Sequence, residues 1–397
     1  MLLPSEDPIV LASIARTPIG GFQGELEALS APQLGAKAIA SAIRRAGLRE
    51  EEVSEVLMGC VLSAGLGQAP ARQAALGAGL PDSVPCTTVN KMCGSGMKTV
   101  MLGAQALCAD PMAVIVAGGM ESMTNAPYLL PKARGGMRLG HGKVVDSMFF
   151  DGLEDAYEGG LMGNFAEACA SKYEFSRAEQ DEYAIESLNR SLAASDGAFT
   201  DEIAPICVET KTGTVKVSKD EQPFKAKPER ITQLKPAFKR EGGTVTAANA
   251  SSISDGAAAV VMMRASRAEA LGIAPIARLT AMTSHAQAPA WFTTAPVGAL
   301  KALMEETGLT KQKIDLFEVN EAFAVVPMAA MADLQIPHEK MNVHGGACAL
   351  GHPIGASGTR ILVTLVGALR RRGLRTGVAA ICIGGGEATA VSLELVS

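Results

Sequence analysis

Two cysteines, one histidine and one asparagine stand where a chain could use them for covalent chemistry. Cys93 lies in Val89-Asn90-Lys91-Met92-Cys93-Gly94-Ser95-Gly96-Met97-Lys98, between an apolar run and a helical one. A helix N-terminus offers unpaired N–H groups and positive partial charge, which favour thiolate over thiol. Gly94 and Gly96 would let a substrate approach the backbone. Taken alone, such a cysteine also reads as an inert side chain buried at a tight turn. His352 lies in Gly345-Gly346-Ala347-Cys348-Ala349-Leu350-Gly351-His352-Pro353-Ile354-Gly355-Ala356-Ser357-Gly358, a stretch too rich in glycine for a packing element. The chain has five histidines, and an imidazole in such a loop is a candidate to deprotonate a thiol or donate to an oxyanion. Cys348 and His352 are four apart, but two ligands are too few for a metal site and no metal is expected. Cys382 opens a third stretch, Cys382-Ile383-Gly384-Gly385-Gly386. Asn320 opens a fourth, Asn320-Glu321-Ala322-Phe323-Ala324, directly after apolar Leu316 to Val319. Its amide either caps a turn or holds a water or a substrate carbonyl.

A thiolate paired with a base suits acyl transfer, and a second thiol can act on a different proton. For this the four stretches must meet, as strand ends do along one edge of an α/β sheet. The apolar pattern predicts such elements. Strands are expected over Ile9–Ile14, Val56–Leu62, Cys86–Val89 and Ala113–Ala117, the last ending at Gly118-Gly119. Ser30 reads as a helix N-cap, and Met97, Val100, Met101, Ala104 and Leu107 follow helical spacing. The C-terminal part repeats the order: strands over Ala277–Met282 and Leu316–Val319, a glycine-rich turn, a helix burying Ile361, Leu362, Leu365, Val366 and Leu369, and a strand over Val378–Ile383. We read this as a duplicated α/β unit. Between the parts lies a segment of different texture with a capping box at Ser176 and Glu179 and a basic excess from Lys211 to Arg240. That excess is either a solvated face or a landing site for a polyanion.

Composition narrows the function classes. The 397 residues are 48% hydrophobic and 19% charged, enough apolar material for large cores and too much for a disordered chain. A net charge of −5 argues against a general nucleic-acid binder. The eight cysteines form no CxxC pair, so zinc ribbons and thioredoxin-type motifs are not expected. Pro4, Glu6, Asp7 and Pro8 interrupt the start of the chain, which does not read as a signal or transit peptide. No apolar run reaches ~18 residues, so no membrane partner is expected. A reducing cytoplasm with free thiols is the expected setting.

The stretches around Cys93, Asn320, His352 and Cys382 resemble the signature motifs of the thiolase family. So do Gly118-Gly119-Met120-Glu121-Ser122-Met123, Asn249-Ala250-Ser251 and Asp255-Gly256-Ala257-Ala258-Ala259. The resemblance covers nearly the whole chain and is strongest to the biosynthetic, acetoacetyl-CoA-forming branch. It implies two similar α/β halves in a five-layered αβαβα core, residues 1–123 with 244–275 and residues 276–397. A loop domain, 124–243, would cover the coenzyme A site, with Ala257–Met263 returning to the first half. The implied reaction is reversible condensation of two acetyl-CoA with no metal or redox cofactor, in a homodimer or homotetramer. Carried over residue by residue, Cys93 is the acylated nucleophile and Cys382 the acid/base at the α-carbon. His352 activates Cys93 and, with a water held by Asn320, stabilises a substrate oxyanion. The N–H groups of Cys93 and Gly384 form a second oxyanion hole. Leu153, Met162, Phe238, Ala247, Ala250 and Ser251 match coenzyme A contacts. Phe224 stands where bacterial relatives place a basic residue against the nucleotide, with Lys225 or Lys227 as substitutes. Leu161, His344 and Glu387 depart from the usual pattern. A second reading is a degradative 3-ketoacyl-CoA thiolase of longer chain preference. A third is a silent acyl-CoA binder, against which the intact set of four residues stands.

Overall fold

The computed structural model describes residues 1–210 and 213–396; Lys211, where the basic stretch begins, lies outside them. Among the described residues the main sheet has ten strands, nine along its path and the two-residue Gly20–Gly21 paired beside it with Ser254 and Asp255. The first half supplies β1 (Ile9–Arg16), β2 (Glu55–Gly59), β3 (Cys86–Val89), β4 (Val114–Ser122) and β5 (Ser254–Arg264). The second supplies β6 (Ala277–Ala286), β7 (Leu316–Val319), β8 (Thr376–Ile383) and β9 (Glu387–Leu395). Their order is β7-β8-β9-β6-β1-β5-β4-β2-β3. Within the sheet the halves join through Val10↔Arg278 and Leu11↔Ala277, with the isolated bridge Leu2↔Ala281 beside them. In each half the outer strands pair in parallel, β3 with β2 and β2 with β4 in the first and β7 with β8 in the second, while the last strand, β5 or β9, pairs antiparallel on both its edges. The duplication is therefore one of topology. The second half's counterpart of β3 is reduced to a single bridge, Phe317↔Met341.

Strand alternation builds the five layers. On β2 and β4, Val56, Met58, Val114 and Val116 face α1 (Ala31–Ala46) and α2 (Pro70–Gly77). Their neighbours Leu57, Ile115 and Ala117 face the opposite way, onto α3 (Ser95–Ala109). On β8, Ala379 and Ile381 join that same central core, beside α8 (Ile354–Arg372). Val378, Ala380 and Cys382 face outward to α6 (Ala295–Thr307) and α7 (Val325–Leu334). Strands apolar on both faces are what a sheet covered by helices on both sides requires. The central helix layer, α3 against α8, is thus shared by the two halves.

The central segment, 124–243, adds no strand to the main sheet among the described residues. It carries α4 (Met162–Tyr173) and α5 (Arg177–Ser195), the latter opened by the expected capping box of Ser176 and Glu179. Part of it is sewn to the first half. Ile206, Val208 and Val217 enter the core under α1, and fully buried Arg16 pairs with Asp220 and Glu202. Among the described residues no helix is long and apolar enough to cross a membrane.

Several strand boundaries differ from expectation, two of them for plain physical reasons; β1, β6 and β8 simply run longer, to Arg16, to Ala286 and from Thr376. β4 runs through Gly118 and Gly119, because both pair with β5. β2 stops at Gly59, because the N–H groups of Val61 and Leu62 turn to the Glu121 carboxylate. Glycine is required at 119, since a Cβ there would lie 2.1 Å from the Gly355 carbonyl oxygen in the first turn of α8. We expect Gly119→Ala to cost about 1–3 kcal/mol of stability through overpacking. Thermal or denaturant unfolding checks this; an unchanged midpoint would mean that α8 is free to move.

Candidate active site

Cys93 closes a loop that holds its own shape. Met92 takes a left-handed φ of 46°. Its N–H donates to Asn90 Oδ1 at 3.0 Å, the Lys91 N–H donates to Ser95 Oγ at 2.8 Å, and that hydroxyl donates to the Met92 carbonyl at 2.6 Å. The loop delivers a half-buried thiol to the start of α3. Two N–H groups favour its thiolate, those of Gly384 and of Cys93 itself. Burial outweighs them and pushes the thiol up to about 11. The expected depressed thiol is thus corrected: in this state Cys93 needs a base. The expectation for Gly94 and Gly96 is corrected as well. A Cβ on Gly94 would lie 2.4 Å from Ile383 Cδ1 and one on Gly96 2.7 Å from Thr359 Oγ1, so both serve internal packing.

His352 is equipped as that base. Its Nδ1 lies 2.5 Å from Ser357 Oγ, and Ser357 Oγ donates to the Pro353 carbonyl at 3.0 Å. A serine has one hydroxyl proton, so towards the imidazole it accepts. Nδ1 therefore carries the ring proton and Nε2 the lone pair. Nε2 is buried without a protein partner. Burial, with Arg360 nearby, lowers the imidazole to about 3, so it is uncharged at neutral pH. A testable pH profile follows. Alkylation of Cys93 in substrate-free protein should accelerate steadily from about pH 6 to about pH 9 as the thiolate fraction grows. An inflection near about pH 6.5 would show His352 titrating there and contradict this assignment.

Cys382 ends β8 fully buried. Burial comes first and the charge of Cys93 second in holding its thiol well above the usual range. Asn320, immediately after β7, is also fully buried. Its Oδ1 accepts from Arg360 Nη2 at 3.4 Å, and its Nδ2 has no partner. Cys348 is a separate case from His352. Its thiol is directed at the Glu321 carbonyl, and its N–H donates to the Glu321 carboxylate at 3.0 Å. That carboxylate also accepts from Tyr183, Ser187 and Asn342, so it braces the loops rather than facing the thiols.

The residues matched to coenzyme A contacts fall into two groups. Leu153 packs in a cluster with Met92, Cys93 and Ile354. Met162 Cε would sit 3.7 Å from a Cβ on Gly384. Phe238 lies across Gly163 and meets Phe323 edge-on at 6.0 Å. Ala250 bridges to Phe323, and Ser251 donates from N and Oγ to the Ala322 carbonyl. These five pack against the cysteine and asparagine loops or their immediate neighbours. Ala247 is exposed on the same turn. Lys225 and Lys227 are exposed too, and Lys225 pairs with Glu221, which also accepts from Gly21 and Glu25.

Sequence reasoning missed several supports. Ser357 and Arg360 are five and eight residues beyond His352, on the first turns of α8; a hydroxyl and a guanidinium so close to a candidate base were the available signal. Glu121 is fully buried and accepts from Val61, Leu62 and Gly355 at 3.0, 3.1 and 2.8 Å. It ties the end of β2 to the start of α8. Glu387 has a role here: it pairs with Lys91, linking the two cysteine loops. His344 meets Phe199 edge-on and lines a separate cavity of about 480 Å³ that includes none of the four reactive residues.

Comparison with known proteins agrees with this arrangement. The family model "Thiolase, N-terminal domain" matches residues 9–266 and "Thiolase, C-terminal domain" residues 273–395. The chain is 50% identical over 390 residues to Acetyl-CoA acetyltransferase 2 of Arabidopsis thaliana, covering 98% of this chain and 97% of the relative. It is 47% identical over 388 residues to Acetyl-CoA acetyltransferase of Pseudomonas aeruginosa, covering 97% and 98%. The crystal structure of Acat5 thiolase from Ascaris suum in complex with coenzyme A superposes with a TM-score of 0.92 at 41% identity, over 98% of this chain and 100% of that one. With both domain models spanning the paired halves that hold the two sulfurs, and relatives of this identity aligned nearly end to end, the chain belongs to the thiolase family.

Proposed function

We propose that this chain is an acetyl-CoA C-acetyltransferase, condensing two acetyl-CoA to acetoacetyl-CoA and CoA by a reversible ping-pong route. The observation that carries the residue roles is the pair of Ser357 contacts, to His352 Nδ1 and to the Pro353 carbonyl, which assigns Nε2 as a base in a site whose thiol needs one. Nε2 takes the Cys93 proton as Sγ attacks the first thioester carbonyl. The oxyanion forms against the N–H groups of Cys93 and Gly384. The C–S bond to coenzyme A breaks, and the leaving thiolate takes the Cys382 proton. A thioester has become a thioester, so little driving force is needed. The Cys382 thiolate then takes an α-proton from the second acetyl-CoA. Its enolate oxygen is stabilised by His352 and by a water on Asn320 Nδ2, since preorganised donors count most where charge develops. The carbanion attacks acetyl-Cys93, the C–S bond breaks, and His352 returns its proton to Sγ.

The reaction uses coenzyme A as substrate and needs no metal or redox cofactor. Leu153, Met162, Phe238, Ala247, Ala250 and Ser251 contact the pantetheine arm, and basic residues such as Lys227 meet its phosphates. Eight free cysteines support a reducing setting such as the cytoplasm. The terminal strand β3 leaves one edge of the sheet unpaired, which supports assembly as a homodimer or homotetramer.

A short acyl pocket is supported by the aromatic chain beside Asn320. Phe165 meets Phe292 at 6.5 Å and Phe292 meets Phe323 at 6.4 Å. Thiolysis across a 3-ketoacyl-CoA series should therefore be fastest with acetoacetyl-CoA and fall about tenfold or more for longer chains. A maximum well beyond acetoacetyl-CoA would replace this reading with the degradative one.

A further inference from the structure

Arg360 is 2% exposed and stands between groups of opposite demand. Its Nη1 donates to Glu318 Oε1 at 3.1 Å, and Glu318 is itself 2% exposed. Its Nη2 donates to Asn320 Oδ1 at 3.4 Å. An asparagine amide can turn over, exchanging a donor for an acceptor. A guanidinium has donors only, so only the amide oxygen can face it. The Asn320 N–H then anchors the backbone on the Ala380 carbonyl at 3.0 Å, and Nδ2 is left buried and unpartnered.

We propose that Arg360 is a positioning residue for the condensation step: it holds the Asn320 amide with oxygen inward, so that Nδ2 is presented as a donor on the substrate side. Glu318 keeps the guanidinium in place through its hydrogen bond to Nη1. Turned over, the amide would present an oxygen to the developing enolate, and a stabilising contact would become a repulsive one. The proximity of Arg360 also opposes protonation of His352, which preserves the base. The inference rests on the proposed role of Asn320, and the test separates the two.

Four forms of the full-length protein, unsubstituted, R360Q, N320A and R360Q/N320A, are compared in two assays: acetyl-enzyme formation on Cys93, and condensation. R360Q should slow condensation about 10²-fold, the effect of losing one oxyanion donor, and leave acetyl-enzyme formation within about threefold. In the N320A background R360Q should add less than about threefold, because both changes remove the same donor. R360K, which still offers only donors, should recover most of the loss. Should R360Q unfold because Glu318 is left unpaired, E318Q/R360Q removes both charges and is read the same way. Losses that multiply in a slow N320A background, or acetylation falling as far as condensation, would overturn the role of Arg360 alone. Full condensation by N320A would overturn the role of Asn320 and this inference with it.

Discussion

Replacing Cys93 by alanine should abolish acetyl-enzyme formation and lower condensation and thiolysis by at least about 10⁴-fold, with the fold intact. The expected size follows from the site: Cys93 is the thiol on which the N–H groups of Gly384 and Cys93 converge. Cys382 is fully buried and Cys348 is turned to Glu321. No other sulfur is placed to take over. Mixing unsubstituted protein with acetyl-CoA should release a burst of CoA stoichiometric with protein. Mass spectrometry of the alanine variant should find no acetyl group. Acetylation at an equal rate in that variant would remove Cys93 from the reaction.

Cys382→Ala should divide the two half-reactions. The burst should survive at reduced rate, because the N–H pair and His352 remain, while condensation should fall by about 10²–10⁴-fold, the usual weight of a positioned general acid/base. Hydrogen exchange at the acetyl methyl of a non-condensing acyl-CoA should be lost in parallel, since Cys382 is proposed to move that proton. Condensation close to the unsubstituted rate, with exchange retained, would assign the α-proton to another group. Serine at 382 should rescue little, because an alkoxide is far harder to form than a thiolate in a fully buried site.

Much of the fold was legible because short apolar runs bounded by proline or polar residues state strand ends plainly. Cys86–Val89 and Leu316–Val319 begin and end where their patterns do. The four reactive residues were legible for the same reason, standing at those ends. What was not legible depends on distant partners. Glu121 reads as part of a strand, and its partner Gly355 is 234 positions away. Arg360 reads as one more residue of a helix, and its partner Asn320 is 40 positions away. The glycines after Cys93 suggested an open path to the backbone, whereas their neighbours Ile383 and Thr359 come from the other half of the chain. The thiol followed the same rule. Helix-end charge is local and visible in sequence, but the burial that outweighs it is assembled from both halves.

The shared order of elements in the two halves has a consequence for how the chemistry is shared out. Cys93 precedes α3 as His352 precedes α8, each at the loop that enters the inner helix of its half. Corresponding positions in the two halves thus carry a sulfur in one and, in the other, the nitrogen proposed to take its proton. Halves identical at this position would hold two thiols and no imidazole, or two imidazoles and no thiol, so the proposed chemistry needs the halves to differ there.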